Sequence, residues 1–263
     1  MKLAVAMATA AALSSGCGSI PWESPEPRDI LKRSGFAWLS THTEHFCVHV
    51  IRGSTAERDL VNREEDAERS FARALELLGE SSYAATIDVF IVESRAIMRR
   101  LVGAETNGRA FPEANMLAYV YGGGINAGGP HELTHVIANN LWGPGEPWLS
   151  EGLAVYADDR WHDHHLHALA KHLVERGDLP AFETLVNWFR WRNSLLTYPA
   201  AGSLVKHLYE RYGLDAVKAA WGGGAAALPE VTGKSREALE REWHSVIRAA
   251  DASGLVYRAL ENR

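Results

Sequence analysis

At Gly122 the chain changes its period. Before it, apolar residues alternate in short runs: "HFCVHVI" (45–51), "TIDVFIV" (86–92) and "NMLAYVYG" (115–122) are rich in β-branched and aromatic residues and read as strands. After the flexible "GGGINAGG" link, helical spacing takes over, with helices expected at 131–141, 148–160, 163–176, 181–189, 198–212, 214–221 and 235–250. Strands collected in one half and helices in the other give an α+β chain: a small N-terminal sheet, then a helical C-terminal half. The length of 263 residues suits one large domain or two small ones sharing a core.

The sheet needs a cover, and the first half supplies it. In "STAERDLVNREEDAERSFARALELLG" (54–79), Leu60, Ala67, Phe71, Leu75 and Leu78 recur at helical spacing. Ser54 or Thr55 can cap this amphipathic helix and Gly79 can end it. A short helix follows around 93–102.

Just after the change of period stands "GGPHELTHVIANN" (128–140). Pro130 fits the first turn of a helix, where its missing N–H costs nothing. Residues four apart on a helix differ by about 40° and lie about 6 Å apart along the axis, so His131 and His135 point into the same space. Together they can clamp one cation with two imidazole nitrogens. Glu132 is turned by about 100° from His131 and can flank the metal without binding it. The plain alternative is a helix whose histidines are satisfied by surface carboxylates.

A catalytic zinc site takes three protein ligands and leaves a position for water. "PGEPWLSEGLAVYADD" (144–159) offers the third, Glu151, with fifteen residues between it and His135. The "GPGEP" turn (143–147) lets a second helix run back beside the first. His131-Glu132-Leu133-Thr134-His135 followed by Trp148-Leu149-Ser150-Glu151-Gly152-Leu153-Ala154 resembles the gluzincins, the thermolysin- and aminopeptidase-like metallopeptidases. The resemblance implies a zincin-like fold, Zn2+ held by His131, His135 and Glu151, and Glu132 as the general base.

"TYPAAGSLVKHLYERYG" (197–213) is similar to a segment of small bacterial peptidase-MA-like proteins, where a Tyr opens a helix. By that similarity Tyr198 would support the oxyanion, with His207 as the alternative and a core-packed Tyr as the plain reading. The stretch 228–247 resembles the closing helix of the same group, and its "GKS" lacks the preceding glycine a P-loop needs. Two features depart from the family. No G-x-M-E-N motif is present, and Val155 stands where thermolysin-like enzymes carry an acid that orients a zinc histidine. Asn139, Asp158 and Asp159 are left to orient the ligands.

Composition bears on partners and address. A net charge of −6, with no run of Lys or Arg, speaks against nucleic acid. Residues 1–17, with Lys2, apolar "LAVAMATAAAL" and closing "SSGC", read as an export signal. "LSSGC" resembles a bacterial lipobox, with Ser14 at the usual Leu position, and implies a lipid anchor on Cys17. Cleavage to a soluble periplasmic form is the alternative. Residues 18–34 read as a Pro-rich tether, 35–250 as the catalytic domain (35–130 sheet-bearing, 131–250 helical) and 251–263 as a C-terminal tail. Cys47 reads as a small buried residue; a Cys17–Cys47 bridge is the less favoured reading.

Other features have plain explanations beside functional ones. His162, His164, His165, His167 and His172 fit a solvated helix face, or a second metal surface. His45, Cys47 and His49 alternate and share a strand face, which an exposed sheet explains without a ligand. "NWFRWRN" (187–193) reads as a packed helix end near the cleft. In enzymes of the resembled type the strand before the HExxH helix is a sheet edge bordering the cleft, so 107–123 is expected to offer main-chain hydrogen bonds to an extended substrate. The expectation is an exported zinc metallopeptidase acting on peptide or protein substrates. The alternatives are a non-catalytic lipoprotein that binds a protein or cell-envelope polymer, or an amidase acting on another amide.

Overall fold

The structure is a computed structural model that describes residues 26–32 and 35–261. The segment expected to be an export signal, Cys17 with its expected lipid anchor, and most of the expected tether lie outside the described residues. The first described element is helix α1 (Pro27–Lys32), whose Ile30 is fully buried. The tether reading therefore fails for 27–32: an apolar side chain among the polar ones pins this segment to the sheet.

The fold is α+β. Five strands, β1 (Trp38–His42), β2 (Phe46–Ile51), β3 (Ile87–Val92), β4 (Gly108–Phe111) and β5 (Met116–Gly122), form a mixed sheet in the order β1-β2-β3-β5-β4. β2, β3 and β5 run parallel, while β1 and β4 pair antiparallel at the edges. A two-residue strand, β6 (Ile125–Asn126), folds back on the end of β5. Of the stretch 107–123 expected at the sheet edge, β5 is thus interior and β4 lies at the edge. The sequence turns at Pro112–Ala114, and β4 covers the flank of β5 and becomes the edge itself.

Alternation sorts the side chains into two cores. Phe46, Val48, Val50, Val89, Ile91, Leu117 and Tyr119 face one side. Phe90, Val92, Met116, Ala118 and Val120 face the other, with Ile30 and with Met98 and Leu101 of helix α3 (Arg95–Val102). The first side is covered by helix α2 (Leu60–Leu78), whose Phe71, Ala74, Leu77 and Leu78 are buried. A single helix over 54–79 is not formed. Asp59 leaves helical geometry (φ −111°, ψ 20°), accepting hydrogen bonds from Tyr121 Oη (2.6 Å) and Arg63 Nε (3.0 Å), and a one-turn helix, Thr55–Arg58, precedes it.

The helical half packs on that same core. Helices α4 (Pro130–Trp142) and α5 (Pro147–Asp158) run back to back, and α6 (Leu166–Arg176), α7 (Phe182–Trp188), α8 (Ser194–Gly223), α9 (Leu228–Thr232) and α10 (Arg236–Ala249) enclose them. α8 is broken at Gly213 (φ 80°, ψ 176°), a left-handed position that suits glycine. Pro199 sits inside α8 and cannot donate to the Leu195 carbonyl four residues back. Tyr257 Oη donates to that carbonyl instead (3.1 Å) and accepts from Trp161 Nε1 (2.8 Å). Tyr257 is buried, so residues 251–261 are docked on the helices rather than forming a free tail. Among the described residues, no helix is long and apolar enough to cross a membrane.

Candidate metal centre

α4 buries Leu133, Val136 and Ile137 in the core shared with the sheet, which fixes its rotation. His131 and His135 then share the opposite face, their ring centroids 5.0 Å apart. The returning helix α5 is held by Trp148, which is fully buried and donates from Nε1 to the Glu146 carboxylate (2.6 Å). Burying a side chain of that size contributes up to roughly 4–6 kcal/mol by area. With Trp148 seated, Glu151 lies one turn further along, beside the two histidines.

Glu151 Oε2 stands 3.3 Å from His135 Nε2 and 3.6 Å from His131 Nε2. The three side chains each place one ligand atom within 4.8 Å of the other two. Atoms bound to one tetrahedral zinc at about 2.0–2.1 Å stand roughly 3.3 Å apart. The donor set therefore fits a zinc ion in both type and spacing.

The electrostatics of the trio are strongly coupled. Burial opposes a charged His131, yet the hydrogen bond to Glu151 and the charges of Glu132, Glu151 and Asp158 raise it to about 9. Burial likewise opposes ionised Glu151, but hydrogen bonds from His131 and His135 hold its carboxyl far below the usual range. A proton thus holds the place that a cation would otherwise neutralise. Ser150 Oγ lies 3.2 Å from His135 Nδ1, which leaves Nε2 turned toward Glu151.

The trio opens into a cleft of about 990 Å³. Glu132 lines it, beside Gly108 of the edge strand β4. Tyr198, near the start of α8, lines it too, stacked on Phe189 (5.4 Å) and leaning on Trp161 (5.1 Å). Burial pushes the Tyr198 phenol up, and the charge of Glu151 and the hydrogen bond to it add to that. His131, Glu132, His135, Glu151 and Tyr198 are therefore brought together around one space.

Other sequence candidates separate. His207 is buried elsewhere, near Tyr212, and does not line the cleft. Asp159 is drawn off by Lys206 (2.6 Å), while Asp158 and Asn139 both line the cleft, Asn139 with its amide nitrogen donating to the His135 carbonyl (2.8 Å). The histidine-rich stretch is not one helix face. Arg160–Trp161 and His164–His165 form a small hairpin, with His162 and Asp163 at positive φ in its turn. His162 lines the cleft, while His167 turns inward to Ser203 Oγ (2.8 Å), where burial pushes it down to about 4. In 187–193, Phe189 is the packed residue, and Trp188 and Trp191 are exposed.

Sequence reasoning missed Ser150, Gly108 and the cleft arginines Arg95, Arg109 and Arg160. Only Ser150 left a signal, by adjoining the candidate ligand Glu151. The chain matches no protein-family model and no curated protein.

Proposed function

We propose that the chain is a zinc-dependent metallopeptidase of gluzincin type. The observation that carries this reading is the convergence of His131, His135 and Glu151, with Glu132 and Tyr198 facing the same cleft. His131, His135 and Glu151 would hold the ion, which when bound supplies polarisation of the substrate carbonyl and a more acidic water. Glu132 accepts the proton of the attacking water and passes it to the leaving amine nitrogen. Tyr198, kept neutral by its surroundings, donates a hydrogen bond to the oxygen that becomes negative as the carbonyl is attacked. The free edge of β4 lies along the cleft, and an extended peptide can pair with it through main-chain hydrogen bonds. Arg95, Arg109 and Arg160 flank that path. The N-terminal pattern supports export and a lipid anchor on Cys17 as part of the same proposal.

The test is turnover of an unfolded protein substrate by zinc-loaded chain, read as newly formed amino termini. The Glu132→Gln variant should keep one equivalent of zinc at the trio and lose about 10²–10⁴-fold in rate. Full activity in that variant overturns the mechanism. Zinc binding with no turnover in the parent protein makes the fold a binding scaffold instead.

A further inference from the structure

On the side of the sheet away from the cleft lies a second cluster of metal-binding side chains. The strand register sets His42 of β1 opposite Cys47 of β2, and Cys47 opposite Asp88 of β3. Residues in register across a sheet point to the same face, so these three form a row. His49 is two residues on from Cys47 and shares that face. His45 does not join them: it leaves the strand end, stacks on Phe71 and reaches Glu68 Oε2 (2.7 Å). The exposed strand face expected for His45, Cys47 and His49 fails at His49, which is only 2% exposed and stacks on Phe90 at 4.4 Å.

We propose that His42, Cys47, His49 and Asp88 form a second zinc site, structural in role and separate from the cleft. Cys47, His49 and Asp88 each bring a ligand atom within 4.8 Å of the others. His42 Nε2 stands 3.9 Å from Cys47 Sγ. On a tetrahedral zinc with Zn–S about 2.3 Å and Zn–N about 2.0–2.1 Å, those two atoms stand roughly 3.6 Å apart. A shift of a few tenths of an ångström closes that side, and His42 is exposed and free to make it. His49 Nε2 and Asp88 Oδ1 lie 2.8 Å apart and must open to roughly 3.3 Å.

The surroundings suit a ligand as well. Ser40 Oγ lies 2.7 Å from His49 Nδ1, so it can accept the Nδ1 proton and leave Nε2 bare for the metal. Binding would release the Cys47 thiol proton, and the bound ion would tie the edge strand β1 and its neighbour β2 to β3. Two imidazoles, a thiolate and a carboxylate are a donor set that zinc accepts. Because the ligands and the face differ from those of the cleft, this site stands whether or not the chain is a peptidase.

The test uses cobalt(II) as a probe on the full chain carrying Glu151→Ala, which disables the cleft site. Only a sulfur ligand gives a thiolate-to-cobalt charge-transfer band in the near ultraviolet, so histidine-only sites are silent. One equivalent of cobalt should raise that band. Cys47→Ser should abolish it, and Cys17→Ser should leave it unchanged. Asp88→Asn, which keeps the side chain's size, should weaken cobalt binding at least tenfold, and it covers the case in which Cys47→Ser does not fold. Absence of the band, its survival in Cys47→Ser, or unchanged affinity in Asp88→Asn overturns the site.

Discussion

A Cβ built on Gly108 would stand 2.5 Å from Oε1 of Glu132 and 3.1 Å from its Cδ. The edge strand β4 and the helix α4 therefore meet at the side chain assigned to proton transfer, and glycine leaves room for that carboxylate. Gly108 has no left-handed backbone, so alanine there adds a methyl group without straining the main chain. The Gly108→Ala variant should fold with unchanged stability and keep its zinc, while the Glu132 carboxylate is pushed aside. Misplacing a reacting group by about an ångström costs on the order of 10²-fold in rate. Metal analysis beside turnover measures this, and a fully active Gly108→Ala protein would show that Glu132 does not work from this position.

Ser150 is the residue that holds His135 by its other ring nitrogen, at 3.2 Å. Removing such a partner typically costs 10–100-fold in metal affinity, because the ring is freed to turn and its tautomer is no longer set. Ser150→Ala should therefore weaken zinc binding by about that factor, read by competition with a chelator of known affinity. The rate per bound zinc should change far less. A variant with parental affinity would mean that packing alone orients His135.

The elements that could be read from the sequence are those whose reasons are local. α4 and α5 follow from apolar spacing, with Pro130 and Pro147 at their starts, and placing both helices brings His131, His135 and Glu151 together. β4 has only four residues, too few for an alternation to register, and its place at the edge depends on the turn at Pro112–Ala114. β1 carries Ser40, Thr41 and His42 because an edge strand tolerates polar residues, so it left no apolar signal. The break at Asp59 is set by Tyr121, 62 residues away, and the docking of Tyr257 by a carbonyl freed at Leu195. The hairpin at 160–165 turns on His162 and Asp163 at positive φ, where no glycine marks the bend. The break at Asp59 and the docking of Tyr257 are decided by partners distant in the chain, which no window of sequence contains, while the hairpin is local but carries no turn signal.

The pH dependence of metal binding follows from His131. In the metal-free protein its imidazole is raised from an ordinary 6.5 to about 9. Zinc requires the neutral ring, so below about 9 each bound zinc displaces that proton. Apparent affinity should rise close to tenfold per pH unit through the neutral range and level off near pH 9. For the metal-free fold the sign is opposite. The stabilisation from charged His131 is complete below pH 6.5 and is lost as pH rises through about 9. That from ionised Glu151 is present above its ordinary 4.5 and is lost only in strong acid. Chelator competition and thermal melts across pH 6–9 check both, and an affinity flat over that range would contradict the shift at His131.

Gly152 directly follows Glu151, the proposed third ligand, and its role is in packing. A Cβ there would meet Val205 Cγ2 at 2.7 Å and the Ala201 carbonyl oxygen at 2.8 Å. The valine can turn, but the backbone of α8 cannot, so alanine must push α5 away from α8. Overpacking of this kind costs about 1–3 kcal/mol. Gly152→Ala should lower stability by that amount in denaturant melts. It should also weaken zinc binding, because the displaced helix carries Glu151 on the preceding residue. Leu153→Ala serves as the comparison: it creates a cavity in the same helix, costs about 2–5 kcal/mol, and leaves the approach of α5 to α8 open. If the two variants lose zinc affinity only in proportion to their lost stability, the close approach at Gly152 does not position the ligand. A larger loss of zinc in Gly152→Ala, despite its smaller cost in stability, ties the spacing of α5 and α8 to the geometry of the metal centre.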